Sequence, residues 1–323
     1  MSINPICVRL ASAVAVALAL SACSASDYAA PIASFADATT DAESALNDLN
    51  KTATGAYTEF LSEHARTNMS LAVMGANGDC ELGSERCRVA IVDPAHPDQP
   101  QYFPPDPLLG NMVGVMHDIN VYAQNLAALV ADDSAAKAEA DVNAALGSIE
   151  HLANTVATAE GQPAGSVPGF ATPVGSGVNW LVGEYSNQVK LAGLRTATKQ
   201  ADPVIQRAAA LFKNAAIFGS DPQREALTRA FRDKIDAYQD DRGSEADLNA
   251  AVDAAETYDN FLQARPGDVF LAMGDAHAAL TKALNNPELT WPQVFAKIKV
   301  FAAKAQELAK IAKDLAALTG ENP

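Results

Sequence analysis

Residues 294–315, VFAKIKVFAAKAQELAKIAKDL, carry the clearest folding signal in this sequence. Their apolar residues return at alternating steps of four and three, as Val294, Ile298, Phe301, Ala305, Leu308, Ala312 and Leu315. Because an α-helix turns once in about 3.6 residues, this spacing places all of them on one side of a helix. The other side carries lysines at 299, 310 and 313. The pattern predicts an amphipathic helix with one buried face.

The same spacing recurs over most of the chain and predicts an all-α fold. A second regular series runs Leu109, Met112, Met116, Ile119, Ala123, Leu126 and Val130. A first helix is predicted from Ala42 to Met74, and others over 138–156 and 178–192. We interpret Asp202-Pro203, Asp221-Pro222 and Gly243-Ser244 as helix starts. Long helices joined by short turns pack antiparallel, so we expect an elongated bundle with shorter helical hairpins after residue 202.

The sequence between Gly75 and Pro107 interrupts this pattern. It contains six prolines, at 94, 97, 100, 104, 105 and 107, which should exclude both helix and central strand. Cys80 and Cys87 lie in its polar first half, and in an oxidising compartment such a pair should close a disulfide. A redox or metal pair is the alternative, although this spacing matches no catalytic motif and includes no histidine. We therefore expect a long loop closed by a structural disulfide.

The N-terminus combines Arg9, an apolar run from Leu10 to Leu20, and the sequence Leu20-Ser21-Ala22-Cys23. A charged start, a short apolar stretch and small residues at the end are typical of a secretory signal. The last four residues resemble the lipobox of bacterial lipoproteins, which implies cleavage before Cys23 and acylation of that cysteine. The run of eleven is shorter than the roughly 20 residues that a membrane span needs. An ordinary cleaved signal with an incidental cysteine is the alternative.

This resemblance predicts how the chain is divided and where it resides. Residues 1–22 would be a cleaved signal peptide, 23–34 a flexible tether rich in Ala and Ser, and 35–323 a helical domain. A subdivision of that domain near residue 200 is the alternative to a single bundle. Ser24, rather than Asp, follows the cysteine. In lipoproteins of this kind, that implies the periplasmic face of the outer membrane, held by acyl chains that insert into the lipid.

Composition excludes some classes of function. The chain has 39 acidic and 23 basic residues, a net charge of −16, and the predicted signal peptide would remove one of the positive charges. A nucleic-acid-binding protein needs a basic surface, so we expect no nucleic-acid partner. We find no zinc-protease, serine-hydrolase, phosphate-loop or dinucleotide motif, and no Glu-x-x-His pair of a di-iron bundle. The sequence nominates no catalytic residue, and we expect no enzyme.

Five residues are candidates for a bound cofactor. His64 and His277 lie on apolar faces of predicted helices, and Met112, Met116 and His117 cluster on another. Histidines facing a bundle core can bind haem or a metal, and thioethers suit copper. A histidine on an apolar face is more commonly a hydrogen-bonded core residue, and methionine a filler of core space. We therefore predict no cofactor.

The leading hypothesis from the sequence is a lipid-anchored helical protein that binds another protein of the cell envelope without catalysis. Its contact with the membrane would be made by the acyl chains on Cys23. A periplasmic metal or haem carrier that uses the five candidate residues is the first alternative. A membrane-active bundle that rearranges at the glycine-rich stretch 161–177 is the second.

Overall fold

A computed structural model describes residues 25–65, 70–74, 88–92, 94–95, 97–98, 101–103, 108–131, 135–162, 186–215, 221–240, 244–263, 265–286 and 291–319. These residues form a 3-10 turn at Ala25–Tyr28, eight α-helices and one small sheet. The helices are α1 (Ala29–Ala65), α2 (Leu108–Ala131), α3 (Ala135–Ala159), α4 (Ser186–Phe212), α5 (Asp221–Asp240), α6 (Glu245–Gln263), α7 (Gly267–Asn285) and α8 (Trp291–Thr319). The strands are β1 (Ser70–Met74), β2 (Arg88–Val92) and β3 (Gln101–Phe103). The predicted helical class is therefore confirmed for most of the described chain.

The periodic apolar residues form the core, as the sequence predicts. Every member of the series in α2 and α8 is buried, with exposures between 0% and 8%. α1 packs against both α2 and α8, and α7 against both α8 and α4. α3 lies between α2 and α4. One continuous hydrophobic cluster runs from Tyr28 to Leu318, and the hairpin of α5 and α6 packs onto α1 and α8.

The segment after α1 differs from the prediction. α1 ends at Ala65, and Leu71 and Met74 lie in β1 instead of continuing the helix. β2 is the central strand of an antiparallel sheet, with Leu71 paired to Ile91 and Ala90 paired to Tyr102. The exclusion of a central strand was wrong because β2 precedes the first proline of this segment, Pro94. Cys80 and Cys87 lie outside the described residues.

Two predicted boundaries also require correction. The predicted tether at 23–34 is helical from Ala25 onward, and Tyr28 and Ile32 are buried in the core. Ala and Ser, which suggested flexibility, are compatible with helix once the apolar neighbours find a core. The predicted helix start at Asp202-Pro203 is wrong, because α4 begins at Ser186 and runs through this position with Pro203 inside it. Cys23 and the predicted signal peptide, 1–22, lie outside the described residues.

Candidate functional site

The polar centre of the core is a hydrogen-bonded chain of three side chains from three helices. His277 of α7 is completely buried. Its Nε2 lies 3.0 Å from the hydroxyl of Tyr122 on α2, and its Nδ1 lies 3.0 Å from Oδ1 of Asp202 on α4. Phe35 of α1 lies against the imidazole, with ring centroids 5.8 Å apart. We call Tyr122, His277 and Asp202 the polar relay.

Electrostatics define the protonation of the two ends of the relay. Burial and the nearby charge of Asp202 raise the pKa of the Tyr122 phenol well above its ordinary value, so its hydroxyl keeps its proton. Burial alone would raise the pKa of the Asp202 carboxyl, but hydrogen bonds from His277 and Gln206 and the charge of His277 lower it overall. Asp202 is thus ionised near neutral pH and accepts from His277 Nδ1–H. The other ring nitrogen of His277, Nε2, is hydrogen-bonded to the tyrosine hydroxyl.

The close packing of α4 and α7 places His277 beside Asp202. Gly267 at the start of α7 has no side chain, and a Cβ there would overlap the backbone carbonyl of Phe212 at the end of α4. Gly274, further along α7, also lies close to α4, because a Cβ at this position would be 3.1 Å from the Cβ of Ala209. Gln206 ties the two helices by donating to the Gly274 carbonyl at 2.8 Å. Small residues therefore let the two helices approach closely.

In the relay, an aspartate orients a histidine that is hydrogen-bonded to a hydroxyl group, the order of groups found in nucleophilic catalytic sites. Its surroundings differ from such a site, because both Tyr122 and His277 are 0% exposed. A substrate would have to displace core side chains to reach the hydroxyl. The hydrogen bonds of the relay join α2, α4 and α7 within the core.

Two other histidines also join neighbouring helices through carboxylates. His117 Nδ1 lies 2.8 Å from Glu43 Oε1, linking α2 to α1. His151 Nδ1 lies 2.8 Å from Asp118 Oδ1, linking α3 to α2. The imidazoles are more than half exposed, at 59% and 74%, whereas Asp118 is buried. Together with the relay, these pairs make α2 the helix that polar contacts connect to α1, α3 and α7.

The structure separates the residues that the sequence nominated for a cofactor. Met112 and Met116 are fully buried in the core, while His117 points outward to Glu43. Both ring nitrogens of His277 already have hydrogen-bond partners. His64 lies in α1, and its side chain is outside the described part of the structure. Among the side chains that the structure does describe, no group of three or more His, Cys, Asp or Glu could hold a metal ion.

Two members of the polar relay were missed by sequence reasoning. Asp202 was interpreted as a helix cap because Pro203 follows it, and Tyr122 was not singled out. The available signal was His277 itself, since a histidine on a buried face requires hydrogen-bond partners. The helical spacing places His277 on a buried face, where its ring nitrogens need hydrogen-bond partners. It does not show which distant helix supplies those partners.

Of the six large apolar side chains that are exposed in the described part of the structure, three lie on α6. Leu248, Val252 and Leu262 are 42%, 56% and 54% exposed. With the exposed Ala255 and Asp259 they recur at steps of four and three, so they share one face of the helix. We call these five residues the α6 stripe. The buried Ala251 and Ala254 and the half-buried Tyr258 lie beside it, and Tyr258 stacks on Phe231 of α5 at 4.9 Å between ring centroids.

The surroundings of the α6 stripe are acidic. α6 contains five acidic residues and no lysine or arginine. Glu245 and Glu256 lie next to the stripe by helical position, and Asp259 lies on it. The N-terminus of α6 is fixed by Ser244, whose hydroxyl accepts from the backbone N–H of Asp247 at 3.1 Å. This contact agrees with the predicted cap at Gly243-Ser244 and keeps the helix ordered at the surface.

Comparison with known proteins gives no identity: no protein-family model, no curated protein and no solved structure matches this chain. None of the helices in the described ranges is long and apolar enough to cross a membrane.

Proposed function

We propose that this protein is a lipid-anchored component of the bacterial cell envelope that binds another envelope component and does not catalyse a reaction. The resemblance of Leu20-Ser21-Ala22-Cys23 to a lipobox supports the anchor and the periplasmic face of the outer membrane. An elongated antiparallel bundle, with a disulfide between Cys80 and Cys87, would then extend from the membrane into the periplasm. The helices would serve as the binding body.

The observation that carries the binding role is the α6 stripe. Helices of a folded domain normally turn their apolar face to the core, and exposed apolar patches mark contacts with other molecules. Val252 and Leu262 are each more than half exposed although they recur at the spacing of a packed helix face. Among the described side chains of the α5–α6 hairpin, Ala251 and Ala254 are buried, and Ala230, Phe231 and Tyr258 pack half-buried against the core. Its outer side is therefore available to a partner.

Two measurements on the full-length protein produced in bacteria test this proposal. Mass spectrometry of the mature chain should show Cys23 as an acylated first residue. A photo-crosslinking amino acid at Val252 should yield a crosslinked species in living cells. The photo-crosslinking amino acid placed instead at Val121 of α2, which is 39% exposed, should not yield that crosslinked species. An unmodified Cys23 would contradict the anchor, and equal labelling from both positions, or none, would contradict the binding surface.

A further inference from the structure

The outward face of α8 is chemically complementary to the α6 stripe. Its exposed residues recur at steps of three and four as Ala296, Lys299, Ala303, Gln306, Lys310, Lys313 and Ala317. We call this set the α8 face. This face combines three alanines with three lysines and a glutamine, so small apolar side chains lie between long polar ones at Ala303 and next to them at Ala296 and Ala317. Lysine stems cover apolar surface while their ammonium groups reach solvent or acids.

The charges of the α8 face are available for a partner. Lys299, Lys310 and Lys313 make no ion pair with any residue that the structure describes. The remaining two lysines of α8 are already paired within the chain, Lys297 with Asp275 at 2.7 Å and Lys304 with Glu307 at 2.8 Å. The unpaired lysines therefore lie on the outward face.

We propose that the α6 stripe of one copy of this chain docks on the α8 face of a second copy. This inference rests on the binding role proposed above and names the partner. Leu248, Val252 and Leu262 would sit between the lysine stems, and the lysine ammonium groups would meet Glu256 and Asp259. The stripe spans about 21 Å and the α8 face about 32 Å at 1.5 Å per residue, so the stripe fits along it.

The contact requires two chains. Within one chain, α6 already meets α8 beside a groove that Gln263, Lys304 and Leu308 line. The α6 stripe and the α8 face are different surfaces, so each copy would offer one of each and the contact would propagate head to tail. One helix face buries less than the roughly 800 Å² per partner of a stable interface, which makes each contact weak. Confinement of both copies to one membrane raises their effective concentration.

Charge reversal on the full-length, lipidated chain tests the inference. One variant carries Glu256→Lys and Asp259→Lys on α6, and a second carries Lys299→Glu and Lys310→Glu on α8. The readout is the yield of one epitope-tagged copy recovered with a differently tagged copy after photo-crosslinking from Val252 in cells. Each variant paired with itself places like charges together, so recovery should fall by about tenfold or more.

Coexpression of the two variants supplies the decisive comparison. The new lysines on α6 of the first variant then face the new glutamates on α8 of the second. The unchanged lysines on α8 of the first variant likewise face the unchanged acids on α6 of the second, so opposite charges meet in both arrangements. Recovery should return close to the level of the unmodified chain. As a matched control, Glu150→Lys on α3 and Lys199→Glu on α4 change exposed charges elsewhere and should leave recovery unchanged.

The outcomes separate this inference from the function it rests on. A crosslink from Val252 to a different envelope protein would overturn the self-association and leave the binding role standing. A crosslink within the molecule that carries the photo-crosslinking amino acid, or no crosslink, would overturn both the self-association and the binding role. Failure of the two variants to restore recovery together would reject the pairing of α6 with α8.

Discussion

At the scale of single residues, the hydroxyl of Tyr122 matters because it is the partner of a buried imidazole nitrogen. Tyr122→Phe would leave Nε2 of His277 without its hydrogen bond at a site that water does not reach. An unpaired buried polar atom costs about 1–3 kcal/mol, so the free energy of unfolding should fall by that amount in urea titrations. Tyr238→Phe removes a hydroxyl without a partner among the described residues and should change stability by less than about 0.5 kcal/mol. Equal stability of the two variants would contradict a stabilising relay.

The carboxylate of Asp202 predicts a pH dependence at the same scale. Its pKa is lowered in the folded chain, so its ionised form stabilises the fold at pH values above the unfolded pKa of about 3.9. That contribution disappears as the pH falls through the lowered folded pKa. Asp202→Asn should therefore reduce the free energy of unfolding by about 1.5–3 kcal/mol at pH 7, with the difference shrinking in acid.

Urea unfolding at pH 7 and at successively lower pH values measures this difference. Asp253→Asn, which removes an exposed carboxylate of α6, is the control and should change the free energy of unfolding at pH 7 by less than about 0.5 kcal/mol. A loss at Asp202 that stayed constant into acid would exclude a role for the charge.

At the scale of helices, the approach of α4 to α7 depends on Gly267. Gly267→Ala adds a methyl group that meets the Phe212 carbonyl and the Lys213 backbone, neither of which is a flexible side chain. We expect a loss of about 1–3 kcal/mol, because overpacking outweighs the gain in helix propensity of about 1 kcal/mol. Thermal or urea unfolding measures the change.

Gly147 of α3 offers a matched control for that substitution. A Cβ at this exposed position meets no atom within 4 Å, so Gly147→Ala should stabilise the protein by about 0.5–1 kcal/mol through helix propensity alone. We therefore predict that the two alanine substitutions change the free energy of unfolding in opposite directions. A stabilising Gly267→Ala would show that the ends of α4 and α7 can separate without cost.

The helices were easier to predict than the segments that join them, and the reason is physical. In α2 and α8 the buried apolar residues repeat at steps of three and four along one face, so the spacing predicts the helix despite exposed exceptions such as Val121 and Val300. Strand β2 is only five residues long, and its place depends on pairing with β1 and β3. Asp202-Pro203 is a strong local start signal, but tertiary packing carried α4 through it. The polar relay joins residues 155 and 75 positions apart, a distance that no local pattern encodes.

At the scale of the whole molecule, the distribution of buried contacts predicts which part opens first. α2, α7 and α8 each bury many apolar side chains in the continuous cluster, whereas Ala251 and Ala254 are the buried apolar residues among the described side chains of α6. The described side chains of α5 are half-buried or exposed. Since local opening costs least where few apolar contacts are lost, amides of α5 and α6 should exchange with deuterium before those of α2 and α8.

Hydrogen exchange followed by mass spectrometry measures this order on the full-length chain. α3 serves as the internal control, because its Ile149, Leu152 and Val156 are buried in the core, and its amides should exchange later than those of α6. Uniform protection of all helices would show that the α5–α6 hairpin unfolds only with the rest of the molecule. If the hairpin exchanges early, a partner bound to the α6 stripe should slow exchange in α5 and α6 and leave exchange in α2 unchanged. The reason is that binding stabilises the part of the molecule whose opening it prevents.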